Sequence, residues 1–219
     1  HVFEDSFYQL RHRSSDELRC KLSVQFTGEE GIDAGGVSRE WYQVMAREIF
    51  NPNLALFIAV PDGASTFQPN PNSIIQNDRG VNHLDFFKFV GRLVGKALYD
   101  GQLIDAHFTR SFYKHMLNQP LTYQDLEAVD LDFYKQMKWI LENDITDILV
   151  GQTFAAEMDF FGRKEVVELK EGGSKQPITE TNKKEYVNLM TQHKMTTAIR
   201  DQIKAFQEVS IFIQKLPYN

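Results

Sequence analysis

Cysteine is almost absent from this 219-residue sequence, in which Cys20 is the only one. A single thiol excludes an internal disulfide and a metal cluster built on cysteines. Long apolar runs are also absent, since no stretch approaches the roughly eighteen apolar residues of a membrane-spanning helix. The segment HVFEDSFYQL lacks the basic start and apolar core of a secretory signal. We therefore expect no membrane association, no secretion, and a cytoplasmic or nuclear protein.

Basic residues are too few and too scattered for a nucleic-acid-binding protein. The sequence has 24 Lys and Arg against 30 Asp and Glu, which gives a formal net charge of −6. Contacts to phosphates require clustered positive charge, so we expect no nucleic-acid partner. Hydrophobic residues make up 42% of the sequence and include 17 Phe. The chain is long enough for one sizeable core, or for one core with a smaller appended lobe.

The patterns typical of common active sites are incomplete. The glycine-rich TGEEGIDAGG suggests phosphate binding, but it matches neither GxxxxGKS/T nor GxGxxG, so a structural turn is favoured. Cys20, between Arg19 and Lys21, is either a reactive thiol or, the favoured alternative, a packed cysteine. Neither an HExxH pair nor a GxSxG elbow occurs, and we expect no metal and no cofactor. Structural roles are the default for the histidines, which are His1, His12, His83, His107, His115 and His193.

The stretch from Asn82 to Leu117 predicts a long central helix and a second, shorter one. Asn82 caps the first helix and Asp100-Gly101 ends it, while the second begins near Thr109. Gly91 and Gly95 leave a notch in which another backbone can come close. A wide apolar arc is formed by Phe86, Phe89, Val90, Leu93, Val94, Ala97 and Leu98, and the opposite side carries Lys88, Arg92 and Lys96.

Shorter elements are predicted on both sides of this helical hairpin. Ser14 and Glu17 have the spacing of a capping box, and the alternation from Lys21 to Phe26 predicts a half-buried strand. Further along, RKEVVELK predicts another strand. The remaining predicted helix caps are Thr122, Asp130 and Thr181.

The helix after Asp130 has an unusual number of large apolar side chains, namely Phe133, Met137, Trp139 and Ile140. Such an excess can mark a recognition patch. It can equally reflect internal packing in a small lobe. Periodicity alone leaves these two interpretations open.

Several ordered blocks closely resemble the N-terminal lobe of HECT-type ubiquitin ligases. They are EGIDAGGVSREWYQVMAREIFNP, FQPNPNS, HLDFFKFVGRLVGKALYDGQLIDAHFTRSFYKHML, WILENDI and TNKKEYVNL. The resemblance covers roughly Val2 to Gln207 and is strongest to the very large plant, fungal and animal members of the family.

The resemblance implies a mainly helical α+β fold, the bilobal N-lobe of a HECT domain. Residues 1–120 would be part of the large helical subdomain. Residues 121–205 would be the small inserted subdomain with an α/β hairpin, which docks the ubiquitin-conjugating enzyme. Residues 206–219, which include VSIFIQKLPYN, depart from the family pattern and would be a divergent or truncated tail.

The resemblance also assigns residues to the docking groove. The positions matching its hydrophobic lining are Phe133, Met137, Ile140, Val150 and Tyr186. Asn143 stands where some members have an aromatic residue, which would alter affinity or the choice of conjugating enzyme.

The catalytic cysteine of the family, in a Thr-Cys-Phe context, has no match in this sequence, and neither do the hinge and the C-terminal lobe. We therefore expect a fragment that is inactive alone. It would dock the thioester-charged conjugating enzyme so that ubiquitin passes to a cysteine elsewhere and then to a protein substrate held by other parts of the parent. The alternative is a non-catalytic adaptor or dominant-negative fragment that sequesters conjugating enzyme or ubiquitin. A small-molecule enzyme is disfavoured because the sequence shows no convergent polar site.

Overall fold

The computed structural model describes residues 2–29, 35–60, 66–105, 107–160 and 163–214. These residues divide between two compact units. Unit 1 draws on His1–Ile58, Phe67–His107 and Asp201–Asn219, and unit 2 on Ala59–Thr66 and Phe108–Arg200. Residues 30–34 of the predicted glycine-rich turn TGEEGIDAGG lie outside the described residues.

The described residues are mainly helical, as the sequence predicts. The helices are α1 (Val2–Leu10), α2 (Ser15–Arg19), α3 (Gly36–Ile49), α4 (His83–Tyr99), α5 (Arg110–Met116), α6 (Leu131–Glu142), α7 (Lys183–Met195) and α8 (Arg200–Gln214). The strands are β1 (Phe57–Ala59), β2 (Phe67–Pro69), β3 (Ala155–Phe160) and β4 (Arg163–Glu168), paired as β1–β2 and β3–β4. Short 3-10 helices include Ser73–Arg79, Tyr123–Ala128 and Gly173–Lys175.

Helix α4 is the centre of unit 1, and its caps are those predicted. The side chain of Asn82 accepts a hydrogen bond from the amide of Leu84 at 2.9 Å, and the helix ends at Asp100. On its buried side, Phe89 meets Phe3 and Phe7 of α1 with ring centroids 5.5 Å apart in both cases. Aromatic packing of this kind adds about 0.5–1.5 kcal/mol per pair beyond area burial.

The predicted glycine notch is confirmed at Gly91. A Cβ atom at this position would lie 2.4 Å from the backbone oxygen of Phe206 in α8. No side chain fits in that space, so α4 and α8 approach each other closely because residue 91 is glycine.

Two residues of α4 differ from the prediction. Lys96, expected on the polar side, is only 2% exposed. Its Nζ donates to Asp100 Oδ1 at 2.5 Å, and Asp100 Oδ2 accepts a hydrogen bond from the Tyr42 hydroxyl at 2.8 Å. Leu98, expected in the apolar arc, is 54% exposed. The arc is therefore narrower at the C-terminal end of the helix, where a paired lysine replaces leucine in the interior.

Two further predictions in unit 1 are wrong. Lys21 to Phe26 does alternate between exposed and half-buried side chains, but it forms no strand ladder within the described part of the chain. Cys20 is exposed rather than packed. The Ser14–Glu17 capping box just before them is confirmed, with both reciprocal hydrogen bonds present.

Unit 2 combines α6, α7 and the 3-10 helix Tyr123–Ala128 with the antiparallel hairpin β3–β4. The capping residues Thr122 and Asp130 are confirmed: the Thr122 amide donates to Asp125 at 2.9 Å, and Asp130 accepts from the Phe133 amide at 3.0 Å. The cap predicted at Thr181 is wrong. Helix α7 begins after Asn182, whose Oδ1 accepts instead from the Thr179 amide at 2.7 Å.

Helix α6 lies at the centre of the unit 2 core. The buried cluster comprises Leu126, Val129, Met137, Ile140, Ile145, Phe154, Ile178, Val187 and Met195. Each buried leucine-sized side chain contributes about 1.5–3 kcal/mol relative to exposure. Internal packing, one of the two interpretations left open by periodicity, therefore accounts for Met137 and Ile140.

Candidate docking site for a protein partner

The structure places the five candidate docking residues at different depths of unit 2. Met137 and Ile140 are 3% and 7% exposed and belong to the buried cluster. Phe133 and Tyr186 are half-buried and pack against that cluster from its rim. Val150 is 77% exposed. Of these five, only Phe133, Tyr186 and Val150 thus offer side-chain surface to a partner. Met137 and Ile140 lie in the core.

Tyr186 stands on the first turns of α7 against a rigid neighbour. Its ring makes an edge-to-face contact with Phe154 at a centroid distance of 5.7 Å. Phe154 is fully buried, and the ammonium of Lys170 covers its ring at 3.9 Å. Burial raises the pKa of the Tyr186 hydroxyl, so this side chain stays neutral. A neutral, half-buried aromatic ring suits apolar contact with a partner.

Phe133 is held at the N-terminal end of α6. Its amide donates to Asp130 at 3.0 Å, and the ammonium of Lys194 lies 5.1 Å from the centre of its ring. Lys194 also pairs with Asp130 at 2.9 Å. Burial alone would raise the pKa of Asp130, but hydrogen bonds from Lys194 and Phe133 outweigh it and lower that pKa.

Two further apolar residues of unit 2 are exposed, although the residue matching did not include them. Trp139 is 41% exposed on α6, and Ile148 is 59% exposed in the segment that leads to Val150. Trp139 was visible in the sequence as part of the apolar excess of the helix. Ile148 gave no sequence signal, because its loop has no periodicity from which exposure can be inferred.

Metal binding and membrane insertion each require a particular arrangement of residues. Within the residues that the structure describes, no group of three or more His, Cys, Asp or Glu side chains is arranged to hold a metal ion. Over the same residues, no helix combines the length and apolar character needed to cross a bilayer.

Comparison with known proteins decides which family this fold represents. The family model described as HECT-domain (ubiquitin-transferase) matches residues 43–211. The chain belongs to the HECT family. This confirms the resemblance seen in the sequence blocks, and the mainly helical α+β fold agrees with the N-lobe of a HECT domain.

Relatives within the HECT family are large proteins. The chain is 54% identical over 215 residues to E3 ubiquitin-protein ligase UPL2 of Arabidopsis thaliana, with 95% of this chain and 6% of that protein covered. It is 50% identical over 207 residues to the TOM1-like E3 ubiquitin-protein ligase of Neurospora crassa, covering 94% and 5%. It is 48% identical over 208 residues to E3 ubiquitin-protein ligase HUWE1 of Mus musculus, covering 95% and 5%. The chain therefore spans about one twentieth of the length of these curated relatives.

Proposed function

We propose that this HECT chain docks a ubiquitin-conjugating enzyme on unit 2. In the parent protein, ubiquitin would pass from that enzyme to a cysteine in a C-lobe and then to a substrate lysine. The observation that carries the proposal is the group of open apolar side chains on and beside α6. Trp139, Ile148 and Val150 are 41%, 59% and 77% exposed, and the half-buried rings of Phe133 and Tyr186 pack against the unit 2 core.

Exposed apolar groups of this size favour a protein partner over a small molecule. Large aromatic and aliphatic anchors supply most of the free energy at protein interfaces, and they cluster on a rigid base. Here the base is the buried cluster that contains Met137 and Ile140. A conjugating enzyme with an apolar anchor between polar flanks fits such a surface.

Calorimetric titration of a recombinant ubiquitin-conjugating enzyme into the chain tests the docking site. Phe133→Ala and Tyr186→Ala should each weaken binding at least several-fold, since truncation of an interface anchor costs more than about 1 kcal/mol. Val150→Ala should weaken binding without loss of stability, because this side chain is 77% exposed and leaves no cavity. The matched control is Val166→Ala on β4, which removes the same methyl groups from a side chain 66% exposed. Equal affinity for all four variants and the wild type would contradict the site.

We also propose that residues 1–219 do not carry ubiquitin as a thioester. Cys20 is the only cysteine of the sequence, and its sole assigned partner is the Asp16 carbonyl, 3.8 Å from Sγ. Among the residues that the structure describes, no hydrogen bond joins Cys20 Sγ to an acid, a base or an oxyanion donor. Incubation with charged conjugating enzyme should therefore give no thiol-reducible ubiquitin adduct; such an adduct, lost in Cys20→Ser, would contradict the proposal. With one cysteine and no internal disulfide, the chain suits the reducing cytoplasm or nucleus that we propose for its parent.

A further inference from the structure

Two lysines of α7 hold this helix against α6 at opposite ends of the docking site. We propose that Lys183 and Lys194 are positioning residues that fix the spacing between α6 and α7, and thereby the affinity for the conjugating enzyme. The inference rests on the proposed function, because affinity is the property that the spacing would control. Neither lysine belongs to the five residues matched to the docking groove.

The contacts show that α6 and α7 run antiparallel. Asp130, which caps the start of α6, pairs with Lys194 near the end of α7. Asn143, which caps the end of α6, accepts a hydrogen bond from Lys183 at the start of α7. The helix pair is thus held at both ends, and the candidate residues of α6 and α7 all lie between the two contacts.

The Lys183 contact lies at the C-terminal end of α6. The side chain is 9% exposed, its Nζ donates to the Asn143 carbonyl at 2.7 Å, and it also pairs with Glu180. The second carboxylate oxygen of Glu180 accepts from the Ile145 amide at 3.2 Å. One buried ammonium therefore connects α7 to the residue that caps the end of α6 and, through Glu180, to the start of the segment that carries Ile148 and Val150.

The position of Lys183 at the start of α7 is unfavourable for its positive charge. Lys183 is the first residue of α7, where the positive end of the helix dipole disfavours a cation. Burying an ammonium is costly as well unless it is paired. Both costs are offset by its contacts with Glu180 and with the carbonyl end of α6, where a cation is favoured. Local helix formation does not explain this lysine, but the connection between the two helices does.

The Lys194 contact lies at the other end and touches the docking surface. Its ammonium is 2.9 Å from Asp130 Oδ2 and 5.1 Å from the Phe133 ring centre. The side chain is 41% exposed. A neutral replacement removes the ion pair and the cation–π contact together, so Phe133 and α7 lose their common anchor.

The main experiment compares three lysine-to-methionine variants of the full chain. Methionine keeps the length of the aliphatic stem and removes the charge. Lys183→Met and Lys194→Met should each weaken calorimetric binding of the conjugating enzyme at least about threefold, the lower end of couplings between contacting residues. Lys184→Met is the matched control: Lys184 is exposed on the same helix, and affinity should stay within twofold of wild type. Lys194→Arg retains both the charge and the cation–π contact with Phe133. This variant should bind with the affinity of the wild type.

A second measurement reports the spacing without any partner. Spin labels at the exposed positions Gln136 of α6 and Asn188 of α7, introduced as cysteines in a Cys20→Ser background, give the interhelix distance distribution. That distribution should broaden or shift in Lys183→Met and Lys194→Met and remain unchanged in Lys184→Met. Such a change separates positioning from a general loss of stability, which would leave the folded-state distance unaltered.

The outcomes separate the inference from the proposed function. If Phe133→Ala weakens binding while both lysine variants bind like wild type, the inference is wrong and the docking site stands. If none of the variants affects binding, the docking site is wrong. The spin-label distances then decide the spacing role alone, and an unchanged distribution in both lysine variants overturns it.

Discussion

Asp125 connects two segments of unit 2 through a single carboxylate. The side chain is 3% exposed and pairs with Lys114 of α5 at 2.7 Å. Asp125 also accepts a hydrogen bond from the Thr122 amide at 2.9 Å, which caps the 3-10 helix Tyr123–Ala128. Burial alone would raise the pKa of Asp125, but hydrogen bonds from Lys114 and Thr122 outweigh it and lower that pKa. The carboxylate is therefore charged throughout the neutral range.

Replacement of Asp125 by alanine should destabilise the chain strongly. Removing one partner of a buried ion pair leaves Lys114 and the Thr122 amide unsatisfied, and we expect the free energy of unfolding to fall by about 2–4 kcal/mol. The comparison is Asp132→Ala, because Asp132 is 90% exposed and lies 3.8 Å from Lys135. That change should cost at most about 0.5 kcal/mol. Urea denaturation measures both, and equal effects would contradict the role of Asp125.

The sequence was most informative about residues whose structure is decided locally. Asn82, Thr109 and Asp130 each accept a hydrogen bond from an amide two or three residues ahead, so the signal and its cause lie in the same turn. Lys96 was assigned wrongly for the opposite reason. The burial of Lys96 depends on Tyr42, which is distant in sequence but shares Asp100 as a partner. Thr181 is displaced as the cap because Asn182 occupies that place instead.

Helix α4 shows how a single element depends on the close approach of a second helix. Its polar and apolar sides could be predicted from spacing except at Lys96 and Leu98, and the glycine notch could be predicted as well. The identity of the backbone that enters the notch could not, because α8 lies more than a hundred residues later in the chain. The backbone that enters the notch is that of Phe206, whose side chain is fully buried.

Gly91→Ala tests this approach directly. In an isolated helix the substitution would be favourable by about 1 kcal/mol. Here the added Cβ would meet the Phe206 oxygen at 2.4 Å, so we expect a net loss of about 1–3 kcal/mol through overpacking. Gly36→Ala in α3 is the control, since no atom lies within 4 Å of its added Cβ. A Gly91→Ala variant as stable as wild type in thermal denaturation would rule out a tight contact.

At the scale of the whole molecule, three buried or half-buried histidines should make stability depend on pH. Burial lowers the pKa of His83, His115 and His193. His83 bonds to Ser73 at 2.9 Å, and His115 bonds to the Met195 carbonyl at 3.0 Å. The ordinary pKa of histidine is about 6.5. Just below that pH, the unfolded chain therefore binds more protons than the folded chain.

The expected consequence is a loss of stability on mild acidification. The free energy of unfolding should fall as pH drops from about 6.5 toward the lower folded-state pKa values, because stability rises with pH wherever the unfolded state binds more protons. His115→Gln should reduce the slope, and the exposed His12→Gln serves as its control. Urea midpoints between pH 7 and 5 provide the measurement. A rise in the free energy of unfolding as the pH falls from 7 to 5 would contradict the assigned direction of the histidine pKa values.

The docking site could be predicted only in part. The residue matching placed three of its five members on α6, but two of these, Met137 and Ile140, are buried beneath the surface. Their depth depends on how Leu126, Phe154 and Val187 pack around them, which no local pattern reveals. For the same reason, the exposure of Ile148 in a loop became evident only from the structure.

The most direct test of docking on unit 2 is a methyl NMR titration of the isotope-labelled chain with a ubiquitin-conjugating enzyme. Exposed methyl groups occur in both units, with Ile148 and Val150 in unit 2 and Ile58, Ile74 and Ile75 in unit 1. We predict that the signals of Ile148 and Val150 shift or broaden on binding while those of the three unit 1 isoleucines stay in place. Unchanged Ile148 and Val150 signals in a saturated complex, with shifts confined to unit 1, would contradict the account.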